Sequence, residues 1–239
     1  RAREADRQAL LRAAIEAGFS HFDTSPMYGN GVAEASLGAL PRELAQRITL
    51  STKVGLYAPA GARASVPDLY ARKLLGKVLP VLNRAVVDGS VQRARLSFEA
   101  SLRRLRRERV ELLLLHEPVA SLLACDEWLK FLQGLQSQGQ IGAWGVAGEA
   151  PAVAAMLATH GVLCPVVQVR DSLSQHQADA VLAAGRPLQL TYGYLADPGA
   201  AGLSVAQRLG QAMLRNPEGA VLVSTRQVER VAALARLGV

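Results

Sequence analysis

The sequence has little cysteine and no long apolar run, and each shortage excludes a class of protein. Its two cysteines, Cys125 and Cys164, are too few for a disulfide framework and wrongly spaced for a redox CxxC pair or a zinc site. We expect both to be reduced, buried thiols of a cytoplasmic protein. No apolar run approaches the roughly 18 residues that cross a bilayer, and the start of the chain lacks a signal-peptide pattern. We therefore expect no metal and no membrane partner.

Lysine is also scarce, so the positive charge is carried almost wholly by arginine. The net charge is +7, with 27 Lys+Arg against 20 Asp+Glu. The densest basic segment is 103–109, and apolar residues recur through it and before it at near-helical spacing (Leu96, Ala100, Leu102, Leu105). This pattern indicates an amphipathic helix with a solvated arginine face. Aromatic residues do not alternate with the arginines, as they do in single-strand binders. A nucleic-acid partner is therefore not expected and stays the weakest hypothesis.

Helical and extended patterns alternate along the chain, which predicts β/α units around one parallel sheet. With 239 residues, 50% of them hydrophobic, we expect a single domain over 1–239. The predicted strands are Phe19–Thr24, Ile48–Val54, Val110–His116, Ile141–Val146, Val166–Arg170, Leu188–Tyr194 and Ala220–Ser224. The predicted helices are Arg3–Gly18, Val32–Leu40, Val91–Glu108, Cys125–Gly139, Pro151–Thr159, Gln175–Ala184, Val205–Arg215 and Val228–Leu237.

Seven strands are one short of a closed (β/α)8 TIM barrel. We expect the missing first strand to precede Arg1. An open doubly wound sheet is the alternative, but no GxGxxG fingerprint follows a first strand. A long connection at about 56–90 follows the second strand. In a barrel it lies over the carboxyl end of the sheet, where active sites form, although a plain surface insertion is an equal alternative.

Four polar residues follow apolar segments at predicted strand ends: Asp23, Tyr28, Lys53 and His116. Together an acid, a phenol, an amine and an imidazole can form one proton-transfer site. A lysine ammonium lowers the pKa of a nearby phenol, and an aspartate holds the ammonium in place. Such a phenol can donate a proton to a developing alkoxide. Because side chains cannot donate hydride, carbonyl reduction at this site requires a cofactor.

Each of the four also has a plain structural interpretation. Asp23 can cap the next turn, Tyr28 can be a loop aromatic, and His116 can be a hydrogen-bonded core histidine. Lys53 is harder to explain this way, because arginine is far commoner in this chain.

Three segments resemble, in order, sequence blocks of the aldo-keto reductases: FDTSPMYGNGVAEASLG, STKVG and SFEASLRRLRRERVELLLLHEP. The resemblance implies a (β/α)8 barrel that binds NADP(H) without a Rossmann domain. It also implies that Tyr28 is the general acid–base, that Lys53 and Asp23 tune it, and that His116 orients the carbonyl. The sugar dehydrogenase branch, acting on threo-aldose or galactose, is the most similar part of the family.

The resemblance extends to the cofactor site. It implies that Gln168 binds the nicotinamide carboxamide and that Tyr192 or Tyr194 stacks on the ring, with Asp23 also near the cofactor. The segment VLVSTRQVER is similar to the family's phosphate-binding segment at a helix start. Its polar and basic positions are Ser224, Thr225, Arg226 and Arg230. Arginine there favours the 2′-phosphate of NADP over NAD.

Two departures stand out. Ala147 and Gly148 occupy the positions of the family's Ser-Asn pair on the carboxamide, and Ala233–Leu234 replaces a Glu-Asn pair. We expect the substrate, an aldehyde, ketone or sugar hemiacetal, to contact Tyr57 and Trp144 as well as Tyr28 and His116. The main hypothesis is an NADP(H)-dependent oxidoreductase, and the alternative is a non-catalytic relative that senses cofactor or binds a partner.

Overall fold

The computed structural model describes residues 3–57 and 85–238. The strands there are β1 (His21–Asp23), β2 (Thr49–Val54), β3 (Leu56–Tyr57), β4 (Val86–Val87), β5 (Val110–His116), β6 (Ile141–Gly148), β7 (Val166–Arg170), β8 (Leu190–Tyr192) and β9 (Ala220–Leu222). The α-helices are α1 (Glu4–Glu16), α2 (Val32–Gly38), α3 (Arg42–Ala45), α4 (Val91–Leu105), α5 (Cys125–Ser137), α6 (Ala150–His160), α7 (Asp179–Ala183), α8 (Val205–Arg215) and α9 (Val228–Gly238).

Seven of these strands form one parallel sheet in the order β1-β2-β5-β6-β7-β8-β9. Neighbours in the sheet follow chain order without a reversal, so the open doubly wound alternative, which needs a topological switch point, is wrong. Helix α1 packs against α9, which brings the two ends of the sheet together. The predicted barrel is therefore confirmed, with the edge strands β1 and β9 on either side of its one open seam in the described residues.

Every predicted strand and helix is present in the structure and in the predicted order, but the ends of these elements agree less well. Strands β1, β8 and β9 are shorter than predicted, and β6 runs two residues further, to Gly148. The short helix Arg42–Ala45 escaped prediction. The predicted connection at 56–90 contains a small antiparallel ladder, where Tyr57 pairs with Val86. Residues 58–84 of this connection lie outside the described residues.

Strand alternation separates the side chains into two layers. Leu113, Leu115 and Val146 face the helices and belong to the main core. Leu112 and Leu114 point to the barrel interior, where they pack with Ala147. Because successive strand residues point to opposite faces, interior positions recur at every second residue. This alternation decides which polar residues reach the site.

Helix α4 buries one face, as predicted, but two details differ. Leu96 is 56% exposed, so its assignment to the apolar face is wrong. Nor are the arginines simply solvated, since Arg104 forms an ion pair with Glu34 at 2.6 Å. Glu34 is fully buried and accepts a 2.6 Å hydrogen bond from Thr52. This contact connects α2, β2 and α4 behind the site.

The cysteine prediction is half right. Both thiols are free, but only Cys164 is buried, whereas Cys125 is half-buried. In the part of the chain that the structure describes, none of the helices combines the length and apolarity needed to span a membrane.

Candidate active site

The sheet register brings the strand-end residues to one place. Asp23 pairs with Ser51 across β1 and β2, Lys53 with Leu114, and His116 with Ala147. Residues paired in a parallel register point to the same face, and Leu114 and Ala147 face the interior. The side chains that start from these positions therefore converge at the carboxyl end of the barrel.

Lys53 and Asp23 form a buried ion pair. The ammonium nitrogen lies 2.6 and 2.5 Å from the two carboxylate oxygens and donates a third bond to Thr24 O at 3.1 Å. Ser51 also donates to Asp23 Oδ1 at 2.6 Å. Lys53 is 2% exposed, and burial lowers its pKa while the Asp23 charge opposes this. The pair is thus fixed in position and its charges largely compensate each other.

A tight turn after β1 carries Tyr28 to the pair. Gly29, Asn30 and Gly31 all have positive φ (65°, 56° and 85°), a conformation that glycine and asparagine adopt most easily. The Tyr28 ring centroid lies 5.1 Å from Lys53 Nζ and 6.3 Å from the His116 ring, edge to face. The structure therefore brings all four predicted residues together.

The expected electrostatic effect on Tyr28 is not observed. We expected Lys53 to lower the phenol pKa, but burial first, and then the Asp23 charge, raise the pKa of Tyr28 above its ordinary value. The main physical reason is burial, which penalises the charged phenolate, and the Asp23 carboxylate adds to it by offsetting the Lys53 ammonium charge. The phenol is accordingly fully protonated near neutral pH.

His116 is held in its neutral form. Its Nδ1 lies 3.5 Å from Ser25 Oγ, which accepts a hydrogen bond from Met27 N at 3.1 Å. Burial, and then the Lys53 charge, lower the pKa of His116 to about 4. The imidazole is therefore uncharged at neutral pH, and its Nε2 is the nitrogen left for a substrate oxygen.

Gln168 and Tyr192 lie on the next interior strands. Gln168 pairs in register with Ala147 and is 2% exposed. Its Oε1 accepts no hydrogen bond from the described residues. Tyr192 is half-buried at the end of β8. Tyr192 and Tyr194 are the two candidates for stacking on a nicotinamide ring. Tyr194 is buried and donates a hydrogen bond to Asp171 at 2.8 Å, so Tyr192 is the candidate that remains.

Two predicted substrate contacts lie elsewhere. Trp144 pairs with Leu113, packs against the main core between sheet and helices, and donates to Val162 O at 3.4 Å. It points away from the barrel interior, so its prediction is wrong. Tyr57 is buried beneath Arg93, at 4.3 Å, and accepts from Gly55 N at 3.0 Å. Its contact with substrate stays a prediction.

The predicted phosphate segment lies between β9 and α9. Arg226 and Arg230 are exposed, as is Ser224. Thr225 accepts a hydrogen bond from Gln227 N at 3.1 Å, which turns the chain into the helix. Further along α9, Leu234 is buried. It stands where the family pattern has a polar residue, so in this protein that position belongs to the core. The roles of these residues stay predictions.

Some residues of the site escaped the sequence reasoning. Ser51 and Ser25 contact Asp23 and His116, and Ser51 could have been found because it lies two residues before Lys53 on the same strand face. Glu117 was passed over as part of the His-Glu-Pro segment. It adopts a positive φ of 47°, which no sequence periodicity reveals.

The fold and site define a barrel protein with an acid, an amine, a phenol and an imidazole gathered at the carboxyl end of its sheet. A sequence profile of the aldo/keto reductase family matches residues 1–183, which is most of the chain. The chain belongs to the aldo/keto reductase family.

Individual relatives support this assignment. A 6-dehydroglucose reductase from Agrobacterium fabrum is 32% identical over 148 residues, covering 60% of this chain and 44% of that protein. A pyridoxal 4-dehydrogenase from Microbacterium luteolum is 36% identical over 116 residues, covering 47% and 34%. The match thus spans less than half the length of either relative.

Solved structures share the fold along nearly the whole chain. A glycerol dehydrogenase from Gluconobacter oxydans superposes with a TM-score of 0.72 at 20% identity, covering 99% of this chain and 81% of that one. An aldo-keto reductase from Klebsiella pneumoniae, solved in complex with NADPH, gives 0.64 at 22% identity, covering 98% and 80%.

Proposed function

We propose that this protein is an NADP(H)-dependent oxidoreductase that interconverts an aldehyde, ketone or sugar hemiacetal with its alcohol or lactone. The observation that carries the proposal is the convergence of Tyr28, Lys53, Asp23 and His116, named here the tetrad. Its ion pair is buried at 2.5–2.6 Å, and its phenol and imidazole lie edge to face at 6.3 Å.

Each residue of the tetrad has its own role in the proposed proton transfer. Neutral His116 offers Nε2 to the substrate oxygen and orients it. Protonated Tyr28 then donates its proton to the oxygen as negative charge develops there. A raised phenol pKa does not prevent this transfer. The hydroxyl group of water has a pKa of about 15.7, and an alcohol is a similarly weak acid, so an alkoxide is a stronger base than the phenolate. Lys53 Nζ, 5.1 Å from the Tyr28 ring centroid, is the cation that stabilises the phenolate that remains, with its charge partly offset by Asp23.

The residues present fit a nicotinamide cofactor. Gln168 Oε1 is buried and has no hydrogen-bond partner among the described residues, so it matches an amide donor, since a buried acceptor left unpaired costs free energy. Tyr192 offers a ring beside it, and Ser224, Arg226 and Arg230 offer exposed polar and basic groups for phosphate at the start of α9. When bound, the cofactor supplies the hydride that no side chain can provide.

The substrate class follows from the relatives. A 6-dehydroglucose reductase, a pyridoxal 4-dehydrogenase and a D-threo-aldose 1-dehydrogenase of a Pseudomonas species are among them, and all three names denote a carbonyl or sugar substrate. A small polar aldehyde or an aldose therefore suits the polar tetrad better than a large apolar ketone does.

Two assays test the proposal. NADPH is titrated into the protein while its fluorescence is followed, and its oxidation is then measured with a panel of aldehydes and aldoses. We expect saturable binding well below millimolar concentration and turnover with at least one carbonyl. Absence of binding at millimolar NADPH contradicts the proposal.

One observation favours a second candidate, a non-catalytic relative that senses cofactor or binds a partner. Strand β6 ends in Ala147–Gly148, which carries no side-chain hydrogen-bonding group. The two candidates separate in the same assays, because a sensor binds NADPH but oxidises it no faster with any carbonyl present than without.

A further inference from the structure

A chain of hydrogen bonds on strands β1 and β2 ends at the carboxylate of Asp23. His21 and Asp23 are two residues apart on β1 and therefore share its interior face. Register pairs them with Thr49 and Ser51 on β2. His21 Nδ1 lies 2.9 Å from Thr49 Oγ1, and His21 Nε2 lies 3.3 Å from Ser51 Oγ. The Ser51 hydroxyl lies 2.6 Å from Asp23 Oδ1, which completes the chain.

The direction of these hydrogen bonds is set at the Asp23 end. An ionised carboxylate only accepts, so the single proton of the Ser51 hydroxyl is donated to Asp23 and the Ser51 oxygen is left to accept. His21 must then donate to Ser51 from Nε2. Its Nδ1 is left to accept from Thr49 Oγ1, whose other partner, Ser20 O, is farther away at 3.2 Å. One neutral tautomer of His21, with the proton on Nε2, therefore satisfies the whole chain.

Burial favours the neutral ring that this direction requires. It lowers the pKa of His21 below the ordinary value; the charges of Asp23 and Glu111 oppose the shift, and the Lys53 charge reinforces it. The tautomer of the neutral ring then matters. A proton on Nδ1 would leave Nε2 as an acceptor, and the Ser51 hydroxyl would turn to His21 and away from Asp23.

The last bond of the chain affects how strongly Asp23 offsets the charge of Lys53. The ammonium donates to both Asp23 oxygens and to Thr24 O, so all three of its protons are engaged. The Ser51 hydroxyl is a further donor to Asp23 Oδ1. Because a donor disperses part of the carboxylate charge, more of the ammonium field reaches the Tyr28 ring, whose centroid is 5.1 Å from Lys53 Nζ.

We propose that His21 is a positioning residue of the tetrad, which donates a hydrogen bond from Nε2 to Ser51 and so keeps the Ser51 hydroxyl proton on Asp23. His21 and Ser51 act through Asp23 on the phenolate of Tyr28 and do not contact the reacting atoms. This inference rests on the proposed function, since its effect is on the same proton transfer.

A double-mutant cycle tests whether His21 acts through Ser51. The kcat and KM of carbonyl reduction are measured for wild type, His21→Phe, Ser51→Ala and the double variant. We expect Ser51→Ala to lower kcat by roughly tenfold and His21→Phe by about threefold, with KM nearly unchanged, since the lost hydrogen bond to a charged group acts on the proton transfer. In the Ser51→Ala background, His21→Phe should have no further effect. Additive losses overturn the inference.

Conservative variants and a matched control separate the hydrogen bond from packing. His21→Gln keeps an N–H donor and Ser51→Thr keeps the hydroxyl, so both should retain most of the wild-type kcat. His160→Phe is the matched control, because His160 also contacts a threonine hydroxyl, Thr159 Oγ1 at 2.8 Å, but at the end of α6; its kcat should equal that of wild type. If His21→Gln loses as much kcat as His21→Phe, the donor has no role and the inference is overturned.

The tautomer of His21 provides a readout that does not depend on turnover. Nitrogen-15 NMR of the histidine rings, assigned by the signals that His21→Phe removes, should show a neutral His21 with its proton on Nε2 near neutral pH. A proton on Nδ1, or a charged ring, overturns the inference while the proposed function stands. If wild type turns over no carbonyl, the proposed function fails, and the inference fails with it.

Discussion

The two sides of the site are built in different ways. On the tetrad side, Lys53 and Asp23 satisfy each other at 2.5–2.6 Å, and Ser51 and Thr24 complete their hydrogen bonds. On the carboxamide side, Gln168 Oε1 is buried without a partner in the described residues. The charged groups on the tetrad side are stabilised by one another. The buried acceptor of Gln168, in contrast, would gain a hydrogen bond only from a bound ligand.

The largest expected effect comes from breaking the pair. Lys53→Met leaves the Asp23 carboxylate without its cation, and we expect unfolding free energy to fall by about 3–5 kcal/mol, measured by denaturant titration. The double variant Lys53→Met, Asp23→Asn removes the uncompensated charge and should recover part of the loss. A single variant as stable as wild type would show that the pair contributes little.

The end of strand β6 responds to added volume. Gly148→Asn places a side chain against the Glu117 carboxylate, whose Oε2 lies 2.8 Å from the position of the added Cβ. Because this oxygen is the flexible end of a side chain, we expect a loss of only about 1 kcal/mol in unfolding free energy, measured by denaturant titration. Adding Glu117→Ala removes the contact and should restore that loss. A Gly148→Asn variant as stable as wild type would show that the carboxylate moves aside freely.

A smaller effect concerns pH. The folded pKa of His116, about 4, is below the ordinary 6.5, so the unfolded chain binds more protons between these values. The folding stability associated with neutral His116 is therefore fully present above pH 6.5 and is lost as the pH falls towards 4. His21, whose pKa burial also lowers, adds to the same slope. His116→Gln should flatten it in denaturant titrations over this range, and an unchanged slope would contradict the neutral imidazole.

The smallest kinetic effect is expected for Trp144. Because its indole packs between the sheet and the helices, Trp144→Phe should lower stability modestly, by about 1 kcal/mol, and leave KM for the carbonyl unchanged. Parallel thermal melts and steady-state kinetics measure both. A selective rise in KM with unchanged stability would return Trp144 to the substrate pocket.

The ends of the strands could be predicted from the sequence, but the face on which a strand residue lies could not. Asp23, Lys53 and His116 were found because each ends an apolar run, and parallel strands place such ends at one edge of a sheet. Trp144 was misplaced because membership of a strand does not say which face a residue occupies. That answer needed the register, which pairs Trp144 with Leu113.

Two further results depend on geometry that no pattern encodes. The raised pKa of Tyr28 follows first from how deeply the folded chain buries the phenol, and second from the nearby Asp23 charge. Glu117 reaches over Gly148 through a strained turn, and a sequence shows the glutamate but not its direction. Both arise where side chains from different elements meet.

The central claim is that Tyr28 donates the proton, and one comparison tests it most directly. Tyr28→Phe and wild type are assayed for kcat/KM with the best carbonyl substrate, and for NADPH affinity by fluorescence titration. The account predicts that kcat/KM falls by about 10²-fold or more while NADPH affinity is unchanged. Equal turnover by the two proteins would contradict it.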